Sequence, residues 1–282
     1  MKQQKTQIVF NFHITQKCNY GCKYCFSQWE DAKEIWQENP QRIFDVIDEI
    51  SNSSKLFPDF CEKPRLNFAG GEPLILGYKL TEFAKYASKK GTDVSIITNA
   101  SMLVENKNIL PYLTIIGISI DSLNSETNEK IGRCRNGKSI LRENLEEIVK
   151  VIQETNRRIA LKFNIVVNEW NWDLKIVPEL LRFSPQKIKV LREVPFKNRQ
   201  GITDEQFNYF VKTNECKNDS RVVTENSGDM INSYLMIDPS GRFFENGHEN
   251  NYFYSEAIDR VGLETALNTI KFDEKKFAKR YG

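Results

Sequence analysis

The sequence predicts an α/β fold in which a parallel sheet curls into a partial (β/α)6 barrel, followed by a C-terminal α+β extension. Three observations predict it. Strand-like and helix-like segments alternate about six times, an order that favours parallel strands joined by helices. Each strand-like segment has one apolar and one polar face, as a barrel strand does. After residue 200 the alternation stops, so we expect a barrel over residues 1–200 and an extension over 201–282 that covers its site.

The elements follow from the spacing of the apolar residues. The predicted strands of the barrel are Ile8–Ile14, Arg65–Phe68, Asp93–Thr98, Thr114–Ile120, Ile159–Val167 and Lys187–Leu191. The predicted helices between them are Gln41–Ser51, Tyr78–Lys90, Ser139–Glu154 and Asp173–Phe183. In the extension we expect helices at Thr203–Cys216 and Leu263–Ile270, and a hairpin within Tyr234–Phe244 that turns at Pro239.

Composition excludes several classes of protein. Hydrophobic residues make up 40% and charged residues 28%, which allows a sizeable core and argues against disorder. The net charge of +2 gives no support to a nucleic-acid or membrane partner. No apolar run reaches the ~18 residues of a membrane span, and the first residues lack the apolar stretch of a signal peptide. We therefore expect a cytoplasmic monomer whose clustered cysteines bind metal.

Four basic residues lie on the polar faces of the predicted strands: Arg65, Lys162, Lys187 and Lys189. Burying such cations inside a barrel is costly unless anions pair with them. A triphosphate carries about four negative charges, so these residues predict a polyanionic ligand inside the barrel. The alternative is an open antiparallel sheet whose polar face is in water.

Three cysteines are clustered in the run Cys18-Asn-Tyr-Gly-Cys22-Lys-Tyr-Cys25. Three thiolates on one loop can bind three irons of a [4Fe–4S] cluster and leave the fourth iron open to a small molecule. The alternative is a zinc loop, which needs a fourth ligand. The remaining cysteines are scattered singly and offer no such pairing; they are Cys61, Cys134 and Cys216.

This motif, the aromatic Phe26 after it and its position after the first strand resemble the radical S-adenosylmethionine (SAM) superfamily. The resemblance implies that the open iron binds SAM, which one electron cleaves to a 5′-deoxyadenosyl radical. It assigns Gly70-Gly71-Glu72-Pro73 to the amino group of SAM. Glycines let a backbone approach a ligand closely, and Glu72 can accept from an ammonium. Further candidate SAM contacts are Thr98, Asn99, Ser119 and Arg133, although Asn99 could instead cap a turn and Arg133 could be a solvated loop residue.

Further segments are spread in order over nearly the whole chain. They are Asn11–Cys22, Leu66–Pro73, Ile118–Ser122, Ile131–Arg133, Ser233–Asp238 and Phe272–Phe277. Together they resemble the viperin family in its prokaryotic form. That resemblance implies an antiviral enzyme that converts CTP, UTP or GTP, with CTP expected here, to the 3′-deoxy-3′,4′-didehydro nucleotide after abstraction of the ribose C4′ hydrogen. An electron donor such as flavodoxin or ferredoxin is implied as a partner.

The same resemblance implies roles for individual residues. The lysines Lys162, Lys187 and Lys189 would bind the triphosphate, with Arg65 standing where the family has lysine. The ribose or the phosphates would be oriented by Asn11 and Asn67. A tyrosine, Tyr234, is the candidate donor of the late proton or hydrogen atom, and its alternative is a core tyrosine in the hairpin. On the first strand, His13 faces inward, where a core histidine is the equal alternative.

Two departures from the family and several rival functions stay open. Animal viperins begin with an amphipathic membrane helix that we do not expect here, and the family continues past Phe277 with a tail over the nucleotide, whereas this sequence ends at Gly282. The rivals are a glycyl-radical activating enzyme, a peptide maturase, a GTP-cyclising enzyme and a non-catalytic iron–sulfur or zinc module. Residues 217–282 contain no cysteine, which counts against the GTP-cyclising enzyme and the maturase, since both usually carry a second cluster there.

Overall fold

The structure is a computed structural model that describes residues 5–27, 29, 31–60, 63–195, 200–245 and 252–281, with only the backbone described at 280 and 281. The isolated Cys61 lies outside these residues. The chain forms two compact units. Unit 1 comprises Met1–Lys17, Ser27–Ile96 and Asp229–Gly282, and unit 2 comprises Cys18–Phe26 and Ile97–Gly228. The division into a barrel over 1–200 and an extension over 201–282 stays a prediction.

The strands and helices alternate through most of the chain. The strands are β1 Val9–Thr15, β2 Arg65–Gly70, β3 Asp93–Thr98, β4 Ile115–Ser119, β5 Ala160–Val167, β6 Lys187–Arg192, β7 Val222–Glu225, β8 Leu235–Ile237, β9 Arg242–Glu245 and β10 Phe253–Ala257. The helices are α1 Ile35–Glu38, α2 Gln41–Ser51, α3 Tyr78–Lys89, α4 Ser125–Ile131, α5 Arg142–Thr155, α6 Val177–Leu181, α7 Asp204–Thr213, α8 Ile258–Val261, α9 Leu263–Leu267 and α10 Glu274–Tyr281.

Unit 1 contains strands in the order β10-β9-β8-β1-β2-β3. The central strand β1 runs parallel to both β2 and β8, and β8 continues into the antiparallel strand β9. The apolar face of β1 is fully buried at Phe10 and Phe12, as its alternation predicts. Parallel pairing places Asn11 level with Asn67, so polar side chains of neighbouring strands meet on the same face of the sheet.

Unit 2 contains the order β4-β5-β6-β7, and all three pairings among these strands are parallel. In this register Lys162 of β5 lies level with Lys187 of β6. Helix α5 buries Leu145, Ile148 and Ile152 along one stripe, which is the apolar spacing that predicted it.

The α/β class and the parallel strands β1 to β6 are confirmed, and several predicted bounds are corrected. Helix α2 has the predicted bounds, and its buried residues include Ile43, Ile47 and Ile50, the stripe that predicted it. The predicted helix at Ser139 begins only at Arg142, since Leu141 is extended as its N-cap. The predicted helix over Asp173–Phe183 shrinks to Val177–Leu181, with Pro178 in its first turn. Helix α7 begins after Thr203, which caps it, and α9 ends at Leu267.

Two strands after residue 200 were not foreseen as parts of the parallel sheet. Strand β7 pairs with β6, and β8 pairs with β1 as well as with β9. The predicted hairpin is present as β8 and β9, and its turn closes through a hydrogen bond of 3.0 Å from the Gly241 N–H to the Asp238 carbonyl. Each unit therefore receives at least one parallel strand from the last third of the chain.

Candidate active site

The cysteine segment of unit 2 is fastened to the C-terminal end of α4. The Gly21 N–H donates to the Gly132 carbonyl at 3.0 Å, and the Lys23 N–H donates to the Ile131 carbonyl at 2.9 Å. The backbone of Gly132 is left-handed, with φ of 85°, and a Cβ built there would lie 2.2 Å from the Gly21 carbonyl oxygen. Only glycine fits this contact, so the Ile131-Gly132 pair fixes the shape of the cysteine segment.

The three cysteines of this segment differ in their exposure to solvent. Cys18 is exposed, whereas Cys22 and Cys25 are half-buried and belong to one turn, in which the Cys25 N–H donates to the Cys22 carbonyl at 3.1 Å. Burial raises the pKa of the Cys22 thiol to about 11, which a bound metal would reverse by favouring the thiolate.

This thiol set fits an iron–sulfur cluster. Among the described residues no three Cys, His, Asp or Glu side chains surround the position of a single ion. A four-iron cluster places each thiolate on a different iron, so it needs three thiols on a firm backbone rather than convergence on one ion. The fastened segment provides that backbone and the soft sulfur donors that iron–sulfur clusters use.

A buried network lies beside the cysteines. The Arg133 Nε–H donates to Asp121 Oδ2 at 2.7 Å and its Nη1–H donates to the Ser119 carbonyl at 3.2 Å. The Tyr24 hydroxyl donates to the same Asp121 carboxylate and accepts from Arg133. The other carboxylate oxygen of Asp121 accepts from the Val166 N–H at 2.9 Å. The predicted SAM residue Arg133 is thus buried and already held by Asp121, not solvated in a loop.

At the end of β3, Asn99 joins the cysteine segment. Its Nδ2–H donates to Asn19 Oδ1 at 2.8 Å, and its Oδ1 accepts from the Ser101 N–H at 3.0 Å. The neighbouring Thr98 accepts from the Ala100 N–H at 2.9 Å through its hydroxyl oxygen. Both predicted SAM residues therefore cap the turn after β3, and Asn99 also links that turn to the residue after Cys18.

In unit 1, the Gly70-Gly71 pair packs against the backbone that leaves β1. A Cβ at Gly70 would lie 2.3 Å from the Thr15 carbonyl oxygen, and one at Gly71 would lie 2.2 Å from that of Lys17. The Gly71 N–H donates to the Thr15 carbonyl at 2.7 Å. These glycines are therefore required by a close approach of the chain to itself, in addition to any approach to a ligand.

Glu72 follows this pair and is completely buried. Its N–H donates to the Lys17 carbonyl at 2.9 Å, and its Oε1 accepts from the Leu74 N–H at 3.0 Å, which caps a short 3₁₀ helix. The backbone N–H of Leu74 thus orients the carboxylate.

A ladder of polar side chains crosses three strands of unit 1. The Asn67 Nδ2–H donates to Asn11 Oδ1 at 3.0 Å, and Asn67 Oδ1 accepts from the Ser95 hydroxyl at 2.8 Å. Asn11 also donates to the Leu235 carbonyl at 3.3 Å. The predicted substrate residues Asn11 and Asn67 are therefore in direct contact with each other. Arg65 is half-buried at the first position of β2.

In unit 2 the predicted phosphate lysines divide into two environments. Lys162 and Lys187 are level with each other on neighbouring parallel strands, so both half-buried side chains lie on one face. Lys189 is buried and forms an ion pair of 2.5 Å with Glu225 of β7, whose carboxylate offsets its charge.

Tyr234 comes directly before β8 and packs against an aromatic cluster that contains Trp29, Met236 and Phe244. His13 joins the same cluster, with ring centroids 5.1 Å from Trp29 and 5.5 Å from Phe244. Burial lowers the pKa of His13 to about 3, so its imidazole is neutral at physiological pH. These contacts favour a structural role for His13 in the core. The role of Tyr234 as a hydrogen donor stays a prediction.

Four members of these groups were not predicted from the sequence: Tyr24, Asp121, Ser95 and Glu225. Asp121 was visible as a polar residue at the end of an apolar strand, and Tyr24 lies between two of the cysteines. No periodicity marks Glu225, because its strand has only four residues.

Comparison with known proteins supports a common origin for these features. The Radical SAM superfamily matches residues 12–173. An S-adenosylmethionine-dependent nucleotide dehydratase of Fibrobacter sp. (strain UWH6) is 36% identical, covering 97% of this chain and 88% of the relative. The S-adenosylmethionine-dependent nucleotide dehydratase of Psychrobacter lutiphocae is 34% identical, covering 98% of this chain and 95% of the relative. The S-adenosylmethionine-dependent nucleotide dehydratase RSAD2 of Oncorhynchus mykiss is 31% identical, covering 98% of this chain and 80% of the relative.

Solved structures show the same fold at low identity. Native anSMEcpe with bound AdoMet has a TM-score of 0.66 at 14% identity, covering 96% of this chain and 84% of that one. Streptococcus suis SuiB bound to S-adenosylmethionine has a TM-score of 0.61 at 12% identity, covering 99% of this chain and 66% of that one. No helix in the described part of the chain combines the length and apolar character required to cross a bilayer.

Proposed function

Because this chain belongs to the radical SAM superfamily and to the family of S-adenosylmethionine-dependent nucleotide dehydratases, we propose that it removes water from a nucleoside triphosphate. The proposed product is the 3′-deoxy-3′,4′-didehydro nucleotide. It forms when the ribose C4′ hydrogen atom passes to the 5′-deoxyadenosyl radical and the 3′-hydroxyl then leaves as water, with one electron and one proton delivered to the substrate radical. The proposed substrate is CTP, with UTP and GTP as alternatives. The proposed biological role is antiviral defence, since the product lacks the 3′-hydroxyl needed to extend an RNA chain.

The cofactors of the family are a [4Fe–4S] cluster and SAM. When bound, they supply one electron and the 5′-deoxyadenosyl group that removes a hydrogen atom from substrate. We assign the cluster to Cys18, Cys22 and Cys25. The support for this assignment is the glycine-only contact that fastens their segment, because a cluster requires its thiols on a firm backbone.

We assign SAM to two sets of residues. In unit 1, Gly70, Gly71 and Glu72 present a fixed backbone and a buried carboxylate suited to an ammonium group. In unit 2, the set comprises Thr98, Asn99, Ser119 and Arg133. Asp121 fixes the Arg133 guanidinium through its Nε, which leaves donor positions for the methionine carboxylate as the proposed role of Arg133.

We assign the triphosphate of the substrate to Lys162 and Lys187, which lie level with each other on β5 and β6. Two half-buried lysines that lie level on neighbouring strands present two positive charges on one face of the sheet, which favours a bound anion. A triphosphate provides that anion with charge-assisted hydrogen bonds. Glu225 already offsets the charge of Lys189, so Lys189 is a weaker candidate for binding phosphate than the level pair. We propose that Lys189 contributes to phosphate binding while it remains paired with Glu225. Arg65 completes the proposed set of cations.

The ribose is proposed to lie near the amide ladder. Asn11 and Asn67 orient each other and could present their remaining polar positions to hydroxyl groups. Tyr234 is proposed to donate the late proton or hydrogen atom. Its packing in an aromatic cluster supports a fixed ring position, which a donor of this kind needs.

Partners and location follow from the chemistry. We propose flavodoxin or ferredoxin as the electron donor, because each turnover needs one electron to cleave SAM and a second electron for the substrate radical. A cluster bound by cysteines requires a reducing compartment, which supports a cytoplasmic location. We further propose a monomer that binds neither nucleic acid nor a membrane.

The test is a nucleotide panel. The reconstituted protein is incubated anaerobically with SAM, a reductant and each of the four nucleoside triphosphates, and 5′-deoxyadenosine and nucleotide masses are measured. We expect 5′-deoxyadenosine to rise with one nucleotide and that nucleotide to become lighter by one water. The control is the matching nucleoside, which lacks the phosphates and should give no rise. Absence of any nucleotide-dependent rise would refute the proposal. A rise with peptide alone would favour a maturase or a glycyl-radical activating enzyme.

A further inference from the structure

Glu34 is a buried carboxylate at the start of α1 that accepts hydrogen bonds at both oxygens. Its Oε1 accepts from the Thr15 hydroxyl at 2.8 Å and from the Gln16 N–H at 3.0 Å. Its Oε2 accepts from the Trp36 Nε1–H at 3.0 Å and from the Gln37 Nε2–H at 2.7 Å. Only 9% of the residue is exposed. A buried carboxylate with this many donors acts as a fixed junction between the segments that supply them.

The segment that Glu34 holds on one side is the end of β1. The Thr15 hydroxyl that donates to Glu34 also accepts from the Lys17 N–H at 3.1 Å. The carbonyls of Thr15 and Lys17 accept in turn from the N–H groups of Gly71 and Glu72, at 2.7 and 2.9 Å. Glu34 is therefore two hydrogen bonds away from the segment to which we assign the amino group of SAM.

The other side of Glu34 is anchored to the turn between β8 and β9. The Lys33 N–H donates to the Ser240 hydroxyl at 2.8 Å, and that hydroxyl donates to the Lys33 carbonyl at 3.1 Å. The Ile35 N–H donates to the Pro239 carbonyl at 3.1 Å. The residues on both sides of Glu34 are thus fixed to the β8–β9 turn. The Glu34 carboxylate is therefore held in place, and it holds the end of β1 in place in turn.

We propose that Glu34 is a positioning residue for SAM binding: it fixes the Thr15–Lys17 backbone, which in turn fixes Gly71 and Glu72. This inference rests on the proposed function, because it takes Gly70–Glu72 as the SAM segment. The charge and symmetry of the carboxylate are essential. A glutamine accepts at one oxygen only, and its amide group would face two of the four donors.

The test compares Glu34→Gln with wild type and with Glu38→Gln, a change at an exposed carboxylate of the same helix. Each holoenzyme is reconstituted, and its iron content, its SAM dissociation constant and its nucleotide dissociation constant are measured. Amide exchange of the peptide containing residues 70–73 is followed in parallel. For Glu34→Gln we expect about tenfold weaker SAM binding, faster exchange at Gly71 and Glu72, and unchanged iron content and nucleotide affinity. Glu38→Gln should match wild type in all four measurements.

The outcomes separate this inference from the proposed function. If wild type binds SAM and Glu34→Gln binds it equally well, the inference is wrong and the proposed function stands. A parallel loss of SAM binding, nucleotide binding and iron would assign Glu34 a general structural role and also overturn the inference. If wild type fails to bind SAM, the proposed function falls and the inference with it. Should Glu34→Gln not fold, Thr15→Val removes the bridging hydroxyl alone, and an unchanged SAM dissociation constant in that variant would overturn the inference.

Discussion

The buried pair of Arg133 and Asp121 allows a sharp prediction about stability. The Arg133 Nε lies 2.7 Å from Asp121 Oδ2, and the two side chains are 10% and 0% exposed. Asp121→Asn keeps the shape of the side chain but leaves the guanidinium charge buried without its counter-charge. Breaking a buried ion pair in this way costs about 3–5 kcal/mol. Since a whole domain is stable by only about 5–15 kcal/mol, we expect a large fall in the urea midpoint, measured by far-UV circular dichroism.

The chain offers a matched control for this variant. Lys130 Nζ lies 2.7 Å from Glu126 Oε1, the same distance as in the buried pair, but these side chains are 58% and 74% exposed. Glu126→Gln should leave the urea midpoint unchanged, because water screens the pair. A second control, Asp121→Asn combined with Arg133→Met, removes both charges and should recover part of the lost stability. If Asp121→Asn lowers the free energy of unfolding by less than about 1 kcal/mol, burial does not make this ion pair strong.

Three further predictions concern the other groups. Lys187→Met should weaken nucleotide binding about tenfold, measured by calorimetry, because it removes one of two cations that lie level on neighbouring strands. Gly71→Ala should weaken SAM binding at least about tenfold, since its Cβ would lie 2.2 Å from the Lys17 carbonyl oxygen. Burial lowers the pKa of His13 to about 3, so between pH 6.5 and 3 the unfolded chain binds a proton that the folded chain does not. Stability should therefore fall below pH 6.5 by up to about 1.4 kcal/mol per pH unit, and His13→Gln should remove that part of the slope.

Each of these predictions has its own control or contradicting result. Lys150→Met changes an exposed lysine and should affect neither nucleotide binding nor stability; equal effects from both variants would mean that general charge, not the level pair, is responsible. Gly228→Ala should leave SAM binding unchanged, since nothing lies within 4 Å of its Cβ position. An identical pH slope in wild type and His13→Gln would show that His13 does not contribute to acid sensitivity.

The parts of the fold that the sequence predicted are those decided by local apolar spacing. β3 has its predicted bounds, and α2 is a helix over the residues where Ile43, Ile47 and Ile50 form a stripe. The pairing of β8 with β1 was not predictable in the same way. A strand of three residues fits a hairpin equally well, and only tertiary contact adds its parallel partner.

The candidate site divides along similar lines. The cysteines and glycines carry signals in the sequence, because their chemistry or their backbone geometry admits few alternatives. The pairing of Arg133 with Asp121 and of Lys189 with Glu225 has no such signal in the sequence. Glu225 is 36 positions from Lys189, and Asp121 is 12 from Arg133, so neither ion pair follows from helical or strand spacing. Buried charged residues are paired by tertiary contacts between elements, so their partners can be identified only once the neighbouring strands are placed.

The most direct test of the central claim uses a nucleoside triphosphate carrying deuterium at ribose C4′. The reconstituted enzyme is incubated with SAM, a reductant and this substrate, and the 5′-deoxyadenosine formed is analysed by mass spectrometry. We expect one deuterium in 5′-deoxyadenosine, together with a nucleotide product that has lost its 3′-hydroxyl and its C4′ deuterium. Formation of 5′-deoxyadenosine without deuterium, with the nucleotide recovered intact, would contradict it.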